Sequence, residues 1–74
     1  IMLSVDKESN LNLKIYSLKG GLVREMFLGR FQAGTYNIEW DGKDQLSNRV
    51  PSGVYIYMFE SGLHSRVGKM TLLK

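Results

Sequence analysis

Thr35-Tyr36-Asn37-Ile38-Glu39-Trp40 is the stretch whose reading decides the fold. Tyr36, Ile38 and Trp40 fall on one side of an extended chain, and Thr35, Asn37 and Glu39 on the other. That period of two marks a strand with one buried and one wet face. Before it, residues 31–34 supply a turn, and residues 22–28 form an apolar run that breaks step because Val23 and Met26 lie three apart. A β-bulge near Arg24 or Glu25 would return both to one face. Lys19-Gly20-Gly21 turns the chain into that run from another alternating segment, in which Leu11, Leu13 and Ile15 oppose Asn12 and Lys14. Ile1, Leu3 and Val5 pattern a first strand, and the polar cluster Asp6-Lys7-Glu8-Ser9-Asn10 predicts a hairpin between the two.

After Trp40, residues 41–53 read as a polar loop, and residues 54–59 as a strand apolar on both sides. Its faces are Val54, Ile56, Met58 and Tyr55, Tyr57, Phe59, which predicts a central position. Gly62 turns into a last strand running towards Lys74, with Gly68 at a bulge or a close approach. Glycines at 20, 21, 29, 34, 42, 53, 62 and 68 leave no later window long enough for an ordinary helix. The prediction is all-β, an antiparallel β-sandwich of six to seven short strands. Its core is expected to hold Trp40 alongside Ile15, Val23, Ile38, Val54, Ile56 and Met70.

All 74 residues fit one small domain, without internal repeat, low-complexity tract or linker. There is no cysteine, so neither disulfides nor thiolate metal sites reinforce the core. No run approaches the ~18 apolar residues of a membrane span. Ile1 ahead of Met2 suggests a segment excised from a longer protein. The net charge is +3, but Lys and Arg at 7, 14, 19, 24, 30, 43, 49, 66, 69 and 74 never cluster, and nucleic acid, which needs a basic face, is not an expected partner.

Residues with chemical potential are sparse. His64 has no motif around it that marks an orienting carboxylate or a nucleophile, and reads as a surface histidine after a turn. No serine lies in a Gly-x-Ser-x-Gly elbow, and no helix N-terminus follows Gly20-Gly21 to cradle a phosphate. Asp41-Gly42-Lys43-Asp44, with Ser47 and Asn48, has the oxygen content of a cation loop, but Lys43 places an ammonium where a ligand is required. Asp41 and Asp44 are instead expected to accept backbone N–H bonds in Asx-type turns. Trp40, Tyr36, Tyr55, Tyr57, Phe59 and Tyr16 could form a sugar-stacking platform, but a domain this small needs large rings in its core. The expectation is no catalytic residue, no metal, no cofactor and no enzyme activity.

Six blocks in order resemble one known pattern: Leu-Lys-Ile-Tyr-Ser-Leu-Lys-Gly (13–20), Leu-Val-Arg-Glu-Met (22–26), Ala-Gly-Thr-Tyr (33–36), Trp-Asp-Gly-Lys-Asp (40–44), Ser-Gly-Val-Tyr-Ile-Tyr (52–57) and Lys-Met-Thr-Leu-Leu-Lys (69–74). The chain is similar to the immunoglobulin-like domain of the flagellar hook-capping protein and, more closely, to the C-terminal sorting domains of the bacterial type IX secretion system. The shared pattern falls on Gly20, Val23, Gly34, Trp40, Asp41, Gly42, Asp44, Gly53, Tyr55, Lys69 and Met70. Ser17 departs from it where an aspartate is usual, and the Asn-Pro stretch that commonly precedes the first strand is absent.

The resemblance implies an immunoglobulin-like sandwich and a non-catalytic C-terminal label. Such a label follows an amino-terminal passenger, is recognised by outer-membrane secretion machinery and directs the passenger through the periplasm to the cell surface or beyond. Two alternatives stand beside it, a hook-capping-type structural or assembly module and a carbohydrate-binding accessory module of a secreted hydrolase. A terminal strand at a sheet edge can be read by strand addition, so Lys69, Thr71, Leu73 and Lys74 are the expected recognition residues, with Met70 and Leu72 turned inward. A monomer or a strand-exchanged dimer is expected.

Overall fold

The computed structural model describes residues 1–62 and 64–73, leaving Leu63 and Lys74 outside the description. Six strands carry the period-two pattern: β1 (Met2–Val5), β2 (Ser9–Ser17), β3 (Leu22–Phe31), β4 (Gly34–Asn37), β5 (Gly53–Ser61) and β6 (His64–Leu72). They form a four-stranded sheet in the order β3-β2-β5-β6 and a two-stranded sheet of β1 and β4, with every pairing antiparallel. The all-β sandwich expected from the sequence is the one observed.

β2 is paired on both sides and supplies the centre of the core. Leu13 and Ile15 are fully buried, and Leu3, Leu11, Val50, Tyr55 and Phe59 close around them. Partly buried Ile1, Val5, Val23, Ile38, Trp40, Met70 and Leu72 pack against that cluster. Burying such side chains contributes about 1.5–3 kcal/mol each, the main term favouring so small a sandwich.

Several local expectations are corrected. The 6–10 cluster does not close a hairpin, because β1 pairs with β4 (Leu3 opposite Tyr36) while β2 pairs with β3 and β5. Turn composition encodes a chain reversal but not whether the chain returns beside itself or crosses to the other sheet. Leu3 therefore meets Leu11 and Leu13 across the core instead of alongside them.

Strand β5 turns the opposite way from the expected core. Pairing of Ile15 with Tyr57 and of Leu13 with Phe59 puts the aromatic face inward, while Val54 is 38% exposed and Ile56 shares the outer face with Tyr16. Both faces of β5 are apolar, so alternation alone could not choose, and rings of this size fill the gap between sheets better than Val54 and Ile56. Trp40 is half-buried at the rim of the core, packed on it from one side.

The register of β3 shifts opposite Ile15/Tyr16, leaving Val23 unpaired beside Arg24, where a bulge was expected, and shifts again opposite Leu11/Asn12, leaving Leu28 unpaired, which the sequence reading did not anticipate. Gly68 is a close approach and no bulge, since β5 and β6 pair without interruption and the Tyr57 ring lies where a Cβ on Gly68 would stand. Alternation through Tyr36, Ile38 and Trp40 persists, but strand β4 ends at Asn37; Ile38 still exchanges backbone hydrogen bonds with Ile1, and the chain then enters the long loop.

Candidate functional site

The most ordered polar structure lies in residues 40–50, the loop between β4 and β5. Asp41 Oδ1 accepts the Lys43 N–H at 3.0 Å, and Asp44 Oδ1 accepts the N–H groups of Leu46 (3.0 Å) and Asn48 (2.9 Å). These are the aspartate-to-backbone bonds the sequence suggested, and they add to the loop's own backbone pairing, an isolated Lys43–Arg49 bridge flanked by the Asp44 N–H donating to the Asn48 carbonyl at 2.8 Å and the Val50 N–H to the Gly42 carbonyl at 3.0 Å. The Trp40 indole N–H donates to the Lys43 carbonyl at 2.9 Å, drawing the loop over its own ring. Gly42 sits at φ 75°, a left-handed conformation costing an ordinary residue about 1–2 kcal/mol, and the Leu72 side chain stands 3.4 Å from where a Cβ would be. Ser47 adopts φ 68° at the loop's tip without a glycine.

The loop is tied to β3 as well. Arg24 donates to Asp41 at 3.1 Å and 3.4 Å and to the Lys43 carbonyl at 3.4 Å. Gln45 covers the outer edge of β3 twice, its N–H donating to the Val23 carbonyl at 3.1 Å and its Oε1 accepting the Glu25 N–H at 2.8 Å. The bulge at Val23 presents these groups to the loop. At the loop's exit the Tyr55 hydroxyl donates to the Pro51 carbonyl at 2.6 Å, a tyrosine corner, and the Tyr55 ring meets Trp40 edge-to-face at 5.2 Å.

Of the residues singled out from sequence, Val23, Trp40, Asp41, Gly42, Asp44 and Tyr55 thus meet around this one loop, with Met70 packed on the core beside it. Gly20 closes the β2–β3 turn at φ 92°, its N–H donating to the Ser17 carbonyl at 2.9 Å. Gly34 and Gly53 begin β4 and β5. Arg24 and Gln45 went unrecognised. Arg24 carried no signal in the sequence, because its place opposite the fully buried Ile15, where a cation needs a carboxylate close by, follows only from the register set by the bulge at Val23. Tyr55 was recognised, but its hydroxyl partner was legible only in the Pro-x-x-x-Tyr spacing of 51–55.

On β6 the outward residues are Lys69, Thr71 and, just past the strand, Leu73, all exposed. Met70 and Leu72 pack inward. Lys74 lies outside the described residues. β6 is an edge of the four-stranded sheet.

Elsewhere, His64 is exposed on the wall of a cavity of about 260 Å³ formed by Leu3, Val5, Leu11, Phe59 and Arg66. Its neighbours on that wall include Ser61, Ser65 and Glu60, with no hydrogen bond joining any of them to the imidazole among the described residues. No group of three or more Asp, Glu and His side chains among the described residues is placed to hold a metal ion. The ring pairs Trp40–Tyr55 and Tyr57–Phe59 meet at 71° and 68°, not in a common plane.

The sequence profile of one family, described as FlgD Ig-like domain, matches residues 3–61, a span that contains the loop, strands β2 to β5 and all of β1 but Met2. The chain belongs to the FlgD Ig-like domain family. A crystal structure of FlgD from P. aeruginosa superimposes with a TM-score of 0.78 at 28% identity, over 95% of this chain and 54% of that one. The present chain therefore spans about half the length of that FlgD chain. No curated protein sequence matches. These findings support the hook-capping relation and the immunoglobulin-like fold, and they do not extend to the type IX sorting domains. In this FlgD-type domain the Trp-Asp-Gly-x-Asp motif is a folding device: every member has a structural bond, contact or backbone angle that accounts for it.

Proposed function

We propose that this FlgD-type domain is a non-catalytic structural or assembly module of a longer protein. One observation supports the reading: the polar and aromatic side chains of the motif region are spent on the fold. Arg24, Trp40, Asp41, Asp44, Gln45 and Tyr55 bond to backbone groups or to one another around the 40–50 loop. Deleting residues 1–74 from the parent protein tests this. The remainder should keep its own fold and any activity while failing to assemble or to reach its site in the cell; unchanged assembly and placement sinks the proposal.

A second reading, favoured by the exposed outer face of the β6 edge, is a type IX sorting signal read by outer-membrane secretion machinery. Lys69, Thr71, Leu73 and Lys74 would form the recognised face, the passenger would precede the domain, and the parent would pass through the periplasm to the cell surface or be released. Lys69→Glu combined with Thr71→Glu changes that face and leaves Met70 and Leu72 in place. The double variant of a passenger fusion should melt normally and accumulate in the periplasm. Secretion at the parental rate with normal melting removes this reading and leaves the assembly reading intact.

A further inference from the structure

The four-stranded sheet gives only one of its faces to the core. Leu11, Leu13, Ile15, Tyr55 and Phe59 are buried on the inner side, and the residues that alternate with them along β2 and β5 are not. Register sets the outer side out in rows from β3 across to β6. One row holds Leu22, Tyr16, Ile56 and Lys69. The next holds Glu25, Lys14, Met58 and Val67. A third holds Phe27, Asn12, Glu60 and Ser65. Phe27 is 80% exposed, Val67 61% and Leu22 54%, and large apolar groups are rarely gathered on one open face of a protein that stays monomeric.

The charges on this face balance. Lys14 stands between two carboxylates, Glu60 at 2.9 Å and Glu25 at 3.9 Å, and Lys69 supplies a second cation. Two cations against two anions leave these rows neutral although the chain carries +3, so an identical face meets no net repulsion there. Lys14 and its partners are paired within the sheet, and covering them strands no lone charge.

Area and pattern both select a second copy as the occupant. Four strands about 4.8 Å apart and nine residues at about 3.3 Å each make a face of roughly 19 by 30 Å, so two such faces cover about 1,100 Å², just above the least that a specific interface needs. A two-fold axis parallel to the strands and midway between β2 and β5 lays β3 on β6 of the second copy, and β2 on its β5. Glu25 then stands over Val67 of that copy and one row from its Lys69, while Lys14 covers Met58, Tyr16 covers Ile56, Asn12 meets Glu60 and the Phe27 ring lies over the small Ser65. Each of these contacts occurs twice. An axis running across the strands would instead set Lys14 on Lys14 and Glu25 on Glu25, an arrangement that like-charge repulsion disfavours.

We infer that the outer face of the four-stranded sheet is a dimer interface, occupied by a second copy of this chain across that two-fold. The inference rests on neither functional reading, and unlike strand exchange it leaves every strand in its own sheet.

Sedimentation equilibrium of the 74-residue chain tests it. The mass should climb from monomer towards dimer between about 1 μM and about 1 mM, the range a small interface supports. Val67→Glu sets a carboxylate over Glu25 of the second copy and should raise the dissociation constant about tenfold or more, whereas Val67→Lys sets an ammonium there and should lower it. Adding Glu25→Gln to Val67→Glu should restore much of the association. Val67 is exposed, so the dilute variants should melt as the parent does. In the unsubstituted chain the amide NMR shifts of Tyr16, Phe27, Ile56 and Val67 should move with concentration while those of β1 and β4 stay fixed. A mass that remains monomeric at about 1 mM overturns the inference. So does a dimer that Glu and Lys at position 67 weaken equally, one that neither affects, or concentration-dependent shifts confined to β1 and β4, since each assigns association to another surface or another symmetry.

Discussion

Gly42 concentrates two demands on one residue, a left-handed backbone and a Leu72 side chain in contact range of any added Cβ. Gly42→Ala should lose about 1–2 kcal/mol, seen as a fall in the denaturant midpoint with an unchanged slope. No cation needs to be invoked for that loss, because Asp41 and Asp44 already accept backbone N–H groups and, at Asp41, Arg24. A second residue-scale expectation concerns Glu8, whose carboxylate receives the Arg30 guanidinium at 3.0 Å and is thereby held below the usual glutamate range. A depressed carboxylate pKa contributes stability above the pKa of the unfolded chain, and that contribution disappears as pH falls through the folded value. Glu8 should thus titrate by carbonyl-detected NMR below an ordinary glutamate, and Arg30→Ala should return it upward. The stability at stake is small because the pair is exposed.

Among the elements, β2 was the most legible from sequence and β5 the least. Leu11, Leu13 and Ile15 alternate with polar neighbours, so the buried face of β2 followed from periodicity alone. β5 offered two apolar faces, and only its register against β2 decides that Tyr55, Tyr57 and Phe59 point inward. The partner of β1 was illegible for a similar reason: its match with β4 links residues far apart in the chain, and no local signal carries that information. The polar loop revealed its Asx bonds in the composition of 41–48, but not its attachment to β3, which needed the bulge at Val23 placed correctly. At β6 the broken period around Gly68 was visible, and the structure resolves it as room for the Tyr57 ring. Gly68→Ala should displace that ring and cost about 1–3 kcal/mol, with loss of the close contacts between Tyr57 and residue 68 in the NOE spectrum. An unmoved ring at unchanged stability would show that the close approach is not a packing requirement.

The molecule as a whole has little stability to spare: at about 0.05–0.15 kcal/mol per residue, a domain of this length holds only about 4–11 kcal/mol against unfolding. Leu13, fully buried between β3 and β5, is worth about 2–5 kcal/mol on truncation to alanine. Leu13→Ala should therefore leave a substantial unfolded population at 37 °C, measurable by near-ultraviolet circular dichroism.

The pairing of β1 with β4 also bears on the order of folding events. β2–β3 and β5–β6 are hairpins closed by short turns, whereas Met2 must find Asn37 across thirty-five residues of chain. The pairing of β2 with β5 spans still more chain and joins the centre of the core, so loop-closure entropy puts the barrier there, and β1, with four residues and β4 as its one ladder partner, docks after that barrier. Leu3→Ala should then accelerate unfolding and barely alter the refolding rate, giving a φ-value near zero, while truncation of Ile15 should slow refolding. The first strand in the chain is in this sense the last to arrive, and the first to leave.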